Sequence, residues 1–117
     1  MKDIKMNRTN MEARHQFGAS TLIIMFFDIS EKYDQITMSH LSIFLALLRL
    51  WAGNMFQNPI TITRSKVMRL ARVNAKTTYH KCIKDFRNTG LIDYYPSFHP
   101  QGESKIVLRF TENHLLS

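Results

Sequence analysis

The chain has 117 residues, 44% of them apolar and 21% charged, which is ordinary globular usage, excludes a disordered chain and fits one domain. Sixteen Lys/Arg against nine Asp/Glu give a formal charge of +7, so a phosphate-rich partner is the first expectation. The longest apolar runs, Leu22 to Phe27 and Ile43 to Leu48, have six residues each, far short of the roughly 18 that cross a bilayer, so no membrane partner is expected.

In chain order, residues 1–14 are polar and aperiodic and are expected to form a flexible N-terminal arm. Residues 15–33 hold Phe17, Leu22, Ile23, Met25, Phe26, Phe27 and Ile29; helix and short strand are both open, with helix favoured. Thr37 or Ser39 caps a following helix that runs to about Gln57. Its apolar residues, from Met38 to Phe56, cover nearly every side, which predicts a helix enclosed in the core, part of it facing a second subunit. Asn58-Pro59 ends it, because the residue before proline disfavours helical backbone.

Ile60-Thr61-Ile62 reads as a short strand. Thr63 then caps a helix over 64–72, with Val67, Leu70 and Ala71 on its apolar side. Val73-Asn74 is a turn with Asn74 as cap, and the next helix covers 75–88, stopped by Gly90. Leu91 to Tyr95 is a strand, Pro96 to Ser104 a loop, and Lys105 to Phe110 the returning strand.

From residue 37 the order is helix, strand, helix, turn, helix, strand, loop, strand. That is the order of a winged helix-turn-helix, a mainly α, α+β fold. One such domain spans 15–117, with the helix-turn-helix at about 63–89 and a hairpin wing at about 91–110. In such a unit one helix enters the major groove while its neighbour crosses the phosphate backbone.

The charge follows this layout. Residues 61–90 carry Arg64, Lys66, Arg69, Arg72, Lys76, Lys81, Lys84 and Arg87, against Asp85 alone. At about 100° per residue, Tyr79, Cys82, Ile83 and Phe86 fall on one stripe of the helix over 75–88. The other side presents Thr77, His80, Lys81, Lys84 and Asn88, flanked by Lys76 and Arg87. Expected base readers are therefore Lys76, Thr77, His80, Lys81 and Lys84. Expected phosphate contacts are Arg64, Lys66, Arg69, Arg72, Arg87 and Asn88. In the wing, His99, Gln101, Ser104 and Lys105 are placed to reach an adjacent groove. Asp85 does not fit this face; pairing with Lys81 and with Arg72 are both open.

The strings ITITR (60–64), VMRLAR (67–72), TTYHKCIKDF (77–86) and GLIDYYPSFHP (90–100) resemble small winged-helix proteins of bacterial mobile elements and their hosts, usually described as transcriptional regulators. Leu41 to Trp51, followed by Asn58-Pro59-Ile60, is similar to the start of the winged helix in DnaD-type replication initiators. The resemblance covers about residues 38–110. It implies binding of double-stranded DNA through the third helix, often as a homodimer.

No enzyme is expected. The five histidines are not at metal-ligand spacing and the single cysteine, Cys82, reads as a small buried hydrophobe, so no metal and no cofactor is foreseen. One cysteine allows no internal disulfide, and the first ten residues lack a secretory leader's apolar core, so a reducing, cytoplasmic setting is expected. Nothing in the pattern marks a small-molecule effector. The alternatives to a regulator are a replication or mobilisation accessory DNA-binding protein and a winged helix used as a protein-interaction module.

Overall fold

The computed structural model describes residues 18–98 and 102–109; the expected arm at 1–14 lies outside them. The ambiguous apolar stretch is a helix, α1, over residues 18–32. It buries Leu22, Met25 and Phe26, at i, i+3 and i+4, and leaves Ile24 and Phe27 half-exposed. α2 (Met38–Gly53) starts at Thr37. The Thr37 backbone N–H donates to His40 Nδ1 at 3.0 Å, and the Thr37 hydroxyl lies 2.9 Å from the same nitrogen. A histidine thus occupies the position that Glu or Gln usually holds in a capping box.

Two expectations for α2 are corrected. It ends at Gly53, short of Gln57, because the chain turns before it reaches the proline. Met55 and Phe56 both take positive φ (58° and 57°), the Phe56 N–H donates to the Trp51 carbonyl at 2.9 Å, and the Phe56 ring folds edge-on to Trp51, 5.3 Å between centroids. Nor is α2 enclosed on all sides. Ile43, Phe44, Leu47 and Trp51 are buried, but Met38 and Leu45 face outward.

Three antiparallel strands, β1 (Ile60–Thr63), β2 (Ile92–Tyr95) and β3 (Glu103–Leu108), are ordered β1-β3-β2. Ile106 pairs with Ile60 on one side and Tyr94 on the other. Alternation buries Ile60, Ile62, Ile106 and Leu108 on the core face. Asn58 extends this pairing with its side chain: its amide nitrogen donates to the Leu108 carbonyl at 2.9 Å, and its amide oxygen accepts from the Leu108 N–H at 3.1 Å. The hairpin strands are displaced from the expected 91–95 and 105–110, so Glu103 and Ser104 belong to β3 and not to the loop.

α3 (Arg64–Ala71) begins as expected, with the Thr63 hydroxyl accepting from the Lys66 N–H at 3.2 Å. Val67 and Ala71 are buried, whereas Leu70 is exposed. Arg72 ends the helix in the left-handed region at φ 59°. The Val73 N–H then reaches the Met68 carbonyl at 3.0 Å and the Arg72 N–H the Arg69 carbonyl at 3.3 Å. This pair of bonds is usually closed by glycine. α4 (Lys76–Asn88) has Ala75, not Asn74, at its N-cap, with no side-chain cap. Its C-terminus closes the same way around Gly90 (φ 83°): the Leu91 N–H donates to the Phe86 carbonyl at 3.0 Å and the Gly90 N–H to the Arg87 carbonyl at 3.2 Å.

The core joins at an aromatic cluster. Phe26 of α1 stacks on Phe44 of α2 at 5.1 Å, and Phe86 of α4 meets Phe44 edge-on at 5.8 Å and Phe26 at 6.4 Å. Phe86→Ala should therefore cost about 3–5 kcal/mol. Gly90→Ala should cost only about 1–2 kcal/mol, from the positive φ alone, since an added Cβ there meets nothing within 4 Å. Urea unfolding of both variants checks this order.

Candidate nucleic-acid interface

Burial of one stripe of α4 decides what the other stripe presents. Tyr79, Cys82, Ile83 and Phe86 are all buried, as their spacing predicts. Thr77, His80, Lys81, Lys84 and Asn88 are exposed together, with Lys76 and Arg87 beside them. Burial lifts the Tyr79 hydroxyl to a pKa of about 12, with Tyr94 adding to the rise. Burial, then the Asp85 carboxylate, lifts the Cys82 thiol to about 11. Both groups are therefore neutral at ordinary pH and act as core.

α3 adds a second row of cations. Lys66, Arg69 and Arg72 are exposed and Arg64 is half-exposed. Arg64, Arg69 and Arg72 join Lys76, Ser65 and Asn74 around a cleft of about 470 Å³ between α3 and the start of α4. Among the described residues, Arg64, Lys66, Arg69, Arg72, Lys76, Lys84 and Arg87 have no acidic partner. Neither helix has an acidic residue in its first turn. Uncompensated cations near a helix N-terminus are unfavourable until an anion arrives.

The hairpin contributes less than expected. Ser104 is buried, its hydroxyl 3.1 Å from that of Tyr94, because the β3 register turns it inward; it is not available to a groove. Lys105 is exposed. His99 and Gln101 lie outside the described residues. A smaller cleft, about 250 Å³, separates the hairpin from α3 and α4 and is lined by Arg64, Ser65, His80, Tyr94 and Ser97 among others.

Asp85 pairs with Lys81, not with Arg72. Its Oδ2 accepts from Lys81 Nζ at 3.1 Å and lies 2.8 Å from Nε2 of His40. His40 is 2% exposed, with Phe86 edge-on to its ring at 5.7 Å. Since Nδ1 accepts the Thr37 N–H, Nε2 carries the ring proton and donates it to Asp85. Metal-ligand spacing does not single out His40; the sequence signal for it is the capping pattern Thr37-x-x-His40.

No family model, no curated protein and no solved structure matches the chain. Among the described residues, no helix is long and apolar enough to cross a membrane, and no group of three or more His, Cys, Asp or Glu is arranged to hold a metal.

Burial alone would raise the Asp85 pKa, but hydrogen bonds from His40 and Lys81 and the charge on Lys81 carry it below its usual 3.8. A carboxylate depressed in the folded state adds stability that is full above its unfolded pKa and disappears as pH falls through its folded one. The difference in stability between wild type and Asp85→Asn should thus be constant above about pH 5 and shrink below pH 3.8, measured by chemical denaturation across that range.

Proposed function

We propose that the protein binds double-stranded DNA as a winged helix-turn-helix, with α4 in the major groove and α3 against the backbone, and that it acts as a transcriptional regulator, a homodimer in the bacterial cytoplasm. One observation carries the reading: α3 and α4 present a joined surface of cations that lack counter-charges within the described chain. A duplex supplies counter-charges at close and regular spacing. The element order α2–β1–α3–α4–β2–β3, with β3 between β1 and β2, agrees with that architecture.

On this reading Thr77, His80, Lys81 and Lys84 meet base edges. Arg69, Arg72 and Lys76 line the backbone cleft, and Arg64 sits between that cleft and the hairpin. Lys105 is the described residue through which the hairpin reaches a neighbouring groove.

Fluorescence anisotropy with a random duplex, titrated in salt, tests it. Affinity should fall with a log–log slope of about −4 or steeper, the mark of several phosphates neutralised together. The double variant Lys76→Glu, Lys84→Glu should bind at least about tenfold more weakly near 100 mM salt. Absence of binding near 50 mM salt refutes the reading. Arg72→Gly separates binding from folding. It should leave the melting temperature unchanged or higher, because the left-handed position favours glycine by about 1 kcal/mol. Its salt slope should be shallower by about one.

A further inference from the structure

α4 carries one acidic residue among the cations of its outer side, and that residue is held by two side chains. Asp85 Oδ2 takes a hydrogen bond from His40 at 2.8 Å and another from Lys81 at 3.1 Å. His40 is fixed in turn: it is buried, both ring nitrogens are engaged, and Phe86 stands edge-on to it. Helix stabilisation does not account for the ion pair. Lys81 precedes Asp85 by four residues, the weaker orientation for such a pair, and the Lys81 side chain is 58% exposed.

We propose that Asp85, anchored by His40, is a positioning and specificity-setting residue that holds the Lys81 ammonium in place to read a guanine edge. The proposal rests on the DNA-binding reading above. An ammonium has three donors. One goes to Asp85, and two remain for the paired O6 and N7 acceptors that guanine shows in the major groove. The adjacent carboxylate also offsets the Lys81 charge and opposes phosphate at close range, so the pair discriminates against sequence-independent binding. A free lysine at the same place would bind phosphates at large.

The test uses the full chain, a random duplex, and the tightest duplex selected from a random library. Asp85→Asn should bind random duplex several-fold more tightly, with a salt slope steeper by about one. Its preference for the selected site should drop about tenfold. Replacing guanines of that site one at a time by 7-deazaguanine should expose one position that matters to wild type and not to Asp85→Asn. His40→Gln keeps a Thr-x-x-Gln capping box while releasing Asp85, so it should shift preference and slope in the same direction, and combining it with Asp85→Asn should add little. If both variants lower only the melting temperature, with preference and slope unchanged, the proposal is overturned. A library that yields no preferred duplex also overturns it. If Lys76→Glu, Lys84→Glu weakens binding while Asp85→Asn does nothing, this inference alone fails. If wild type binds no duplex, the DNA reading fails and the inference falls with it.

Discussion

Phe86 has to be buried against Phe26, Phe44 and His40, and that requirement orients α4. The three rings come from α1 and α2, so one side chain ties the helix to two others. Once Phe86 points inward, Tyr79, Cys82 and Ile83 follow by helical spacing. Thr77, His80, Lys81 and Lys84 must then point outward. The basic surface is thus a consequence of core packing. Loss of Phe86 is expected to disorder the surface as well as the interior, since an aromatic of this size contributes several kcal/mol of burial.

Backbone geometry sets where that helix begins and ends. The chain leaves α3 through a left-handed Arg72 and leaves α4 through a left-handed Gly90, each closed by the same pair of hydrogen bonds to the preceding turn. At Gly90 the residue suits the conformation. At Arg72 the conformation works against the side chain. Arg72 lines the cleft between α3 and α4, so the strained position and the cationic cleft coincide. A position held against its backbone preference, next to other cations, is consistent with use of the guanidinium.

Electrostatics divide the acidic groups from the basic ones. Asp93 is occupied by Arg109 at 3.0 Å and Asp85 by Lys81 and His40, while the α3 cations and, on α4, Lys76, Lys84 and Arg87 face solvent or a ligand without an acidic partner among the described residues. Asp85 is the exception that gives the surface internal order. Its partner His40 also closes the start of α2, so the cap of one helix and the outer face of another share a single imidazole.

Much of this was legible in the residues. The i, i+3, i+4 stripe of α4, the Thr63 cap, the Gly90 stop and the alternation of the strands are local patterns, set by helix and sheet periodicity and by which backbone regions each residue tolerates. The sequence by itself therefore determined the element order from α2 to β3 and the separation of basic from apolar residues on α4. Other features depend on packing contacts that helix and sheet periodicity does not mark. The early end of α2 comes from Phe56 folding onto Trp51, the inward turn of Ser104 from the register of β3 against β1 and β2, and the exposure of Met38, Leu45 and Leu70 from which neighbours cover each helix. The pairing of Asp85 with His40, 45 positions away, was decided only by tertiary structure, because a hydrogen bond between two helices leaves no periodic trace in either of them.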